Sequence, residues 1–178
     1  RTFTRDDITV ENVAAVDPGL VIIDVPDSVT LLRDAGIPAA FMSVNDAAGL
    51  LDATDMVGAA LDDDASQKAA AYRAFYEDMY NDVTEVSASL AEADKPTVLY
   101  LRSTTQTCGD ASMPNEWINA AGGINVAAQM GLSGARAEIS TEAILEADPD
   151  VIVCERPELA EELASTAAYA NLQALANN

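Results

Sequence analysis

Histidine is absent from this sequence of 178 residues, and its absence excludes several kinds of catalytic site. A serine or cysteine nucleophile that needs a histidine base cannot be assembled from these residues alone. The HExxH zinc site of metalloproteases is excluded for the same reason. The two cysteines, Cys108 and Cys154, form no CxxC pair, so they do not make a zinc site by themselves.

Basic residues are also scarce, since 9 lysines and arginines stand against 30 acidic residues and give a formal net charge of -21. Lys68 and Lys95 are the only lysines. Such a surface repels phosphate backbones and anionic lipid headgroups, which argues against nucleic-acid binding and against docking on an anionic membrane. Solubility or adaptation to salty surroundings explains the charge most simply.

Apolar runs long enough to cross a membrane are missing as well. Residues 1–5 are mostly polar and show no signal-peptide core, and the sequence stops directly after a helix-like stretch. We therefore expect a mature or excised product that is cut at both ends. Its hydrophobic content of 49% is still sufficient for one sizeable domain or two small lobes.

An internal repeat organises the sequence. Residues 8–23 read ITVENVAAVDPGLVII, and residues 139–154 read ISTEAILEADPDVIVC. Thr9 and Ser140 are typical helix N-caps. In both copies Asp-Pro ends a short helix, and a continuous apolar run follows, as in strands buried on both faces of a parallel sheet. Helix–Asp-Pro–strand connections are common in α/β proteins, but two copies with matching caps indicate two similar lobes.

One long helix is predicted between the copies. After an acidic cluster at residues 62–64, apolar residues recur at intervals of three and four, which indicates an amphipathic helix over about residues 65–93. The recurring residues are Tyr72, Phe75, Tyr76, Met79, Tyr80, Val83, Val86 and Leu90. We expect Trp117 and the tyrosines of this helix to lie in the core.

The remaining segments alternate between helix and strand, which predicts an α/β fold with two Rossmann-like parallel-sheet lobes joined by the long helix. Residues 1–63 would form part of the N-terminal lobe, residues 64–94 the connecting helix, and residues 95–178 part of the C-terminal lobe. Both lobes are expected to be incomplete. A long helix between lobes acts as a stiff strut and restricts hinge motion.

Five segments resemble, in order, motifs of the periplasmic-binding-protein family that serves ABC importers of ferric siderophores, haem and cobalamin. Each motif is weak alone, but five in register cover essentially the whole chain. Gly19 departs from the family pattern, which usually has Asp there, and the family's opening β-α unit and its final strand and helices are absent. The segments are residues 10–23, 29–42 (with LLRDAGIP in the middle), 117–127 (WINAAGGINVA), 139–153 and 169–178.

The resemblance implies an extracytoplasmic binding protein, either periplasmic or lipid-anchored at the outer face of the cell membrane. Such a protein captures an iron siderophore, haem or cobalamin between its lobes and delivers it to an ABC permease dimer. We accordingly expect a monomer without enzymatic activity, without a resident cofactor or metal, and without a nucleic-acid partner. Asp27 is the nearest candidate for docking onto the permease, although a plain helix cap is the simpler interpretation.

The ligand site is predicted from the rule that ligands bind beyond the carboxyl ends of strands in open parallel sheets. Four loops satisfy this rule, at residues 24–26, 43–45, 103–113 and 155–156. The loop at 103–113 is the strongest candidate because it is long, polar and rich in hydroxyls, but a surface loop without ligand contact fits equally well. The candidate ligand-binding residues are Asp24, Val25, Asn45, Ser103, Thr104, Thr105, Gln106, Asp110, Met113, Glu155 and Arg156.

Charged and thiol groups near these loops have two interpretations each. Arg102 and Arg156 could pair with the carboxylates of an anionic chelate, or they could simply offset the acidic surface. Cys108 and Cys154 both follow strands at the same predicted sheet edge, so they are candidates for a disulfide in an exported protein. Free thiols are the alternative, and for Cys154 a buried free thiol is equally consistent with the apolar strand before it.

Two other functions compete with ligand transport. A metal-chelatase-like enzyme on a related two-lobed α/β scaffold would need a positioned acid, base or metal-ligand set, and no such cluster is recognisable in the sequence. A flavodoxin-like nucleotide- or signal-binding domain would need a glycine-rich phosphate loop or an acidic pocket, and neither GxGxxG nor GxxxxGK[ST] occurs.

Overall fold

The computed structural model describes residues 8–176, and the chain forms two compact units, residues 1–44 and residues 45–178. Residues 1–7 of the predicted N-terminal lobe and residues 177–178 of the last resembling segment lie outside the described residues. The structure places the helix at residues 47–61 in the second unit, whereas the sequence-based division at residue 63 places it with the N-terminal lobe.

The first unit is a small parallel β-α-β arrangement preceded by a short helix. Its elements are α1 (Val10–Ala14), β1 (Val21–Ile23), α2 (Pro26–Asp34) and β2 (Ala39–Phe41). The two strands pair in parallel, with Val21 opposite Ala39 and Ile23 opposite Phe41. Their inner residues pack with those of α1 and α2 into a core of five buried side chains, Val13, Ile23, Val29, Leu32 and Ala39.

The second unit begins with two helices, α3 (Ala47–Leu61) and α4 (Asp63–Ser87). Asp62 starts α4, because its carboxylate accepts a hydrogen bond from the Ala65 N–H at 2.8 Å. Gly58 allows α3 and α4 to approach closely, since a Cβ at this position would lie 2.9 Å from the Cβ of Ala69.

The long helix ends earlier than the predicted residue 93. Ser87 is the last helical residue and Ser89 follows it, and their hydroxyls donate to the carbonyls of Thr84 and Val86, at 3.2 and 2.8 Å. Ser87 also donates to the carbonyl of Ala120 at 2.6 Å. Hydrogen bonds of this kind compete with the helical pattern, and a short 3₁₀ turn at Glu92–Asp94 follows instead of a further helical turn.

A mixed sheet forms the centre of the second unit. Its middle strand is β3 (Thr97–Ser103), which pairs in parallel with β7 (Val151–Cys154) on one side and β5 (Ile124–Asn125) on the other. Beyond β5, the carboxyl-terminal end of β3 pairs antiparallel with β4 (Gln106–Thr107). β4 in turn pairs antiparallel with β6 (Ala137–Glu138). The α/β prediction is confirmed, with two antiparallel strands added to the parallel core.

Helices cover this sheet and complete the larger of the two cores. They are α5 (Met113–Ala120), α6 (Val126–Gln129), α7 (Thr141–Ala147), α8 (Pro157–Ser165) and α9 (Gln173–Ala176), with a 3₁₀ turn at Ala167–Tyr169. Fully buried side chains from β3, α7 and α8 meet here, including Leu99, Leu101, Ile144, Leu159 and Leu163.

Both copies of the repeat fold as helix, turn and strand, as the pattern predicts. Thr9 and Ser140 accept hydrogen bonds from the main-chain N–H three residues later, each at 3.2 Å. In both copies the Asp before proline takes a left-handed conformation, with φ of 46° at Asp17 and 39° at Asp148. Asp tolerates this conformation better than most residues do.

Trp117 and Tyr72 contradict the expectation that they lie in the core. Trp117 is 51% exposed, because α5 buries Pro114 and Ile118 and turns the adjacent Trp117 outward. Tyr72 of α4 is also exposed, and Tyr76 and Tyr80 are half-buried rather than part of the core. Within residues 8–176 no helix is both long enough and apolar enough to span a membrane.

Candidate ligand-binding site

In the first unit, the predicted site residues follow two strands that end side by side. The N–H of Met42, just after β2, donates to the carbonyl of Ile23 at 3.0 Å. Asp24 is exposed and follows β1, and the half-buried Val25 occupies the N-cap position of α2. Asp27 is exposed in the first turn of α2, where the helix dipole favours a negative charge. The permease-docking role of Asp27 stays a prediction.

In the second unit, the carboxyl ends of β3 and β7 are also neighbours. Leu101 lies opposite Cys154, and the next N–H, that of Glu155, donates to the Leu101 carbonyl at 2.9 Å. Arg102 then forms an ion pair with Glu155 at 2.8 Å. Arg102 therefore already pairs with a carboxylate of the protein itself. Arg156, in contrast, is exposed at the N-cap position of α8.

The stretch at residues 103–113 is not one irregular loop, which corrects the prediction. β3 continues to Ser103, the chain turns at Thr104 and Thr105, and β4 returns along it. Two hydroxyl groups of this stretch bind the main chain. Ser103 accepts a hydrogen bond from the Thr105 N–H at 3.3 Å, and the buried Thr107 donates to the Tyr100 carbonyl at 2.7 Å.

The second half of this stretch is fastened to the loop at residues 132–134. Gly109 is required there, because a Cβ would collide with the carbonyl of Leu132. Asp110 bonds through its main chain to Leu132 and Gly134, at 2.9 and 2.7 Å, and its side chain remains exposed. The half-buried Met113 is the first residue of α5.

Two polar side chains lock the base of the same stretch. The buried Ser112 donates to the Gly109 carbonyl at 2.6 Å and caps α5 by accepting the Asn115 N–H at 3.3 Å. The side-chain amide of Asn125 donates to the Cys108 carbonyl at 3.1 Å and to the Asn115 side chain at 3.0 Å. Ser103 to Gln106 take no part in these bonds, and ligand contact by this hairpin tip stays a prediction.

Cys108 and Cys154 are free thiols, so the disulfide prediction is wrong. β3 lies between their two strands, because Leu101 pairs with Thr107 on one side and with Cys154 on the other. Two strand spacings amount to roughly 9–10 Å, beyond the ~7 Å Cα separation that a disulfide can bridge. The Cys108 thiol donates to the Ala135 carbonyl at 3.2 Å, and burial raises the pKa of both thiols.

Two further residues near this edge were missed by the sequence reasoning. Leu99 and Leu101 are fully buried, so the alternation along β3 turns Tyr100 and Arg102 to the opposite face of the sheet. Burial, followed by the charge of Glu155, raises the pKa of Tyr100. Arg136 directly precedes β6 and is exposed. The alternation of buried and exposed side chains along β3 could have identified Tyr100. Arg136 comes near Cys108 only through the pairing of β4 with β6.

The arrangement is suited to non-covalent recognition. It offers a phenol, guanidinium groups, hydroxyls and amides at the ends of strands. Across residues 8–176, no cluster of three or more acidic or cysteine side chains has a geometry that could hold a metal ion. Asn45 is exposed at the start of the second unit, directly before the α3 N-cap Asp46, whereas Asp24 and Val25 belong to the first unit.

Comparisons with known proteins agree with this architecture. Residues 2–178 match the model of a family described as periplasmic binding protein. A cobalamin-binding protein of Halobacterium salinarum is 32% identical over 152 residues, which are 81% of this chain and 39% of that protein. The chain therefore spans well under half the length of this curated relative.

Solved structures show the same fold at lower identity. The molybdate periplasmic binding protein MolA of Haemophilus influenzae has a TM-score of 0.81 and 18% identity, covering 94% of this chain and 58% of that one. The periplasmic haem-binding protein RhuT of Roseiflexus has a TM-score of 0.70 and 23% identity, covering 95% of this chain and 68% of that one.

Proposed function

The chain belongs to the periplasmic binding protein family, and from this premise we propose that it captures a small ligand for an ABC importer and delivers it to the membrane permease. The ligand we propose is a metal chelate, with cobalamin first and haem or a ferric siderophore as the other chelates to test. Cobalamin comes first because the curated relative at 32% identity is a cobalamin-binding protein.

One observation carries this proposal at the level of the site. The carboxyl ends of β3 and β7 lie side by side and present the hairpin tip, the Arg102–Glu155 pair and Arg156 at one edge. Such an edge is the usual ligand position in open α/β sheets. Because Arg102 is already paired with Glu155, we assign direct ligand contact to Arg156 and Gln106.

The proposal includes a location outside the cytoplasm and a permease dimer as partner. It treats the protein as a monomer that binds its ligand without converting it. Lipid anchoring and the role of Asp27 in docking remain predictions from the family resemblance.

The direct test is calorimetric titration of the full-length protein with cyanocobalamin, haemin and ferrichrome. Arg156→Gln and Gln106→Ala should each weaken binding of the true ligand about tenfold, since a lost charge-assisted or neutral hydrogen bond at a binding edge costs about 1–3 kcal/mol. Lys68→Gln is the matched control, because Lys68 lies exposed on α4 in an ion pair with Asp64. Absence of binding for all three ligands would refute the proposal.

The enzyme alternative has its own test. The protein is incubated with a free tetrapyrrole and Fe²⁺ or Co²⁺, and metal insertion is followed by absorbance. We expect no insertion above the uncatalysed rate. Turnover would favour a chelatase-like enzyme over a binding protein.

A further inference from the structure

An ion pair joins the ends of two neighbouring strands in the second unit. Arg102 lies on β3, and Glu155 follows the last residue of β7. The parallel register pairs Leu101 with Cys154, so the residues directly after them lie next in line across the same two strands. The charged groups of Arg102 and Glu155 are 2.8 Å apart, and the Glu155 N–H donates to the Leu101 carbonyl. The main chain therefore sets the two side chains side by side.

This placement makes Glu155 a strong competitor for Arg102. Opposite charges facing each other on neighbouring strands attract, and a carboxylate is the group that a guanidinium binds best. Because Glu155 belongs to the same sheet, its carboxylate has a high effective concentration that a dissolved ligand must exceed. The Arg102 side chain is only 22% exposed, so most of its surface is closed to a second anion. A ligand carboxylate at this edge would therefore lose water without gaining Arg102 as a partner, which is unfavourable.

The charge of Glu155 also reaches the groups beside the pair. After burial, Glu155 is the largest cause that raises the pKa of Tyr100, and the opposing effect of Arg102 is smaller. Burial also raises the pKa of the Cys108 thiol, where Arg102 opposes the rise and Glu155 adds to it. Close to the Tyr100 hydroxyl the carboxylate therefore outweighs the guanidinium, and a second carboxylate from a ligand would be repelled there.

The charge of the whole chain acts in the same direction at longer range. The formal net charge is -21, with 30 acidic residues against 9 basic ones. Arg156 adds one exposed positive charge beside the pair, and it can still donate to the amide or hydroxyl oxygens of an uncharged ligand. A ligand with free carboxylates is repelled on approach and gains no charged partner from Arg102 on contact, whereas a ligand without them meets neither cost.

We propose that Glu155 is a specificity-determining residue, which by pairing with Arg102 selects chelates without free carboxylates over chelates that carry them. This role presupposes the proposed function, and it names the chemical class of the ligand at that same site. Rejecting the wrong ligand is as much a source of specificity as attracting the right one. The role places cyanocobalamin and ferrichrome, whose outer polar groups are mainly amides, ahead of haemin, which carries propionates.

The test titrates the full-length protein with pairs of chelates that differ in free carboxylates. The pairs are cyanocobalamin with its monocarboxylic acid, ferrichrome with ferrichrome A, and haemin dimethyl ester with haemin. Each pair keeps the same metal and metal ligands, and only its second member carries free carboxylates. For the pair that binds, the second member should have a Kd about tenfold higher. Calorimetry in 1 M NaCl screens charges beyond about 3 Å, so the ratio of the two Kd values reports the local contact.

Matched variants separate the pair from a general effect of charge. Glu155→Gln frees Arg102 with little change in shape, so it should strengthen binding of the carboxylate-bearing member about tenfold and change the other member less than about twofold. Adding Arg102→Gln to Glu155→Gln should remove most of that gain, because the freed guanidinium supplies it. Glu146→Gln makes the same change in net charge at an exposed position on α7, before the start of β7, and should change neither affinity. Circular dichroism checks that all variants remain folded.

The outcomes distinguish this role from the proposed function. If the wild-type protein binds neither member of any pair, the proposed function fails and the role of Glu155 fails with it. If a pair binds but Glu155→Gln leaves the ratio of the two Kd values unchanged, the proposed function stands and the role of Glu155 is overturned. A wild-type preference for the carboxylate-bearing member, or an equal change in Glu155→Gln and Glu146→Gln, would overturn it as well.

Discussion

The two copies of the repeat, residues 8–23 and residues 139–154, share a local conformation but differ in what surrounds them. The first copy packs in a core of five buried residues and contributes a strand to a two-stranded sheet. The second copy packs in a core of ten buried residues and contributes a strand to a five-stranded sheet. The N-cap, the left-handed Asp and the strand are local properties of the sequence, whereas the stability of each copy depends on the neighbours that bury it.

The largest expected effect comes from Ile144→Ala compared with Val13→Ala at the matching position. Ile144 is fully buried, whereas Val13 is 8% exposed at the edge of a smaller core. Ile144→Ala should lower the free energy of unfolding by about 3–4 kcal/mol, and Val13→Ala by about 1–2 kcal/mol, because the loss combines transfer of the side chain with the cavity left behind. Urea unfolding measures both losses.

Hydrogen exchange locates each loss in the structure. The Ile144 variant should lose protection in β7, and the Val13 variant in β1. Equal losses for the two variants would contradict the idea that the surrounding core decides the stability of each copy.

The comparison also shows which features the sequence could predict. The caps at Thr9, Ser140 and Asp62 act within three residues, so the sequence identifies them directly. The hairpin at Ser103–Gln106 was missed because its stability comes from pairing with β6, about thirty residues further along the chain.

Packing over long distances explains the other errors. The Asp110 main chain is held by the loop at 132–134, and nothing near Asp110 in the sequence reveals that contact. Trp117 was expected in the core because large aromatic residues are usually buried, and only the orientation of α5 exposes it. The expectation that the ends of β3 and β7 are neighbours needed no such contacts and is confirmed, whereas ligand binding at this edge stays a prediction.

Salt should stabilise the second unit more than the first. Most of the net charge of -21 lies in residues 45–178, where carboxylates repel one another across the surface. Raising NaCl from 0.1 to 1 M shortens the screening length from about 10 Å to about 3 Å. The melting temperature of the second unit, followed by Trp117 fluorescence, should rise by a few degrees. Amide protection in β1, which reports on the first unit, should change less. A uniform response of both units would contradict this assignment.

The smallest expected effect concerns a polar contact of Asp150 in the second copy. Asp150 accepts hydrogen bonds from the Thr97 N–H and hydroxyl at 2.8 and 2.7 Å, and these bonds lower the pKa of Asp150. At the matching position the first copy has Gly19, where a Cβ would meet nothing within 4 Å. We therefore expect Asp150→Asn to lower the melting temperature and Gly19→Asp to leave it nearly unchanged.

The pH dependence of the Asp150 contact follows from the direction of its pKa shift. Because the folded pKa lies below the unfolded value, the stabilisation is complete above the unfolded pKa of about 3.9. It is lost as the pH falls through the folded pKa. Asp150→Asn should therefore reduce the difference in melting temperature between pH 7 and pH 3. An unchanged difference in the variant would mean that the Asp150–Thr97 contact contributes nothing measurable to stability.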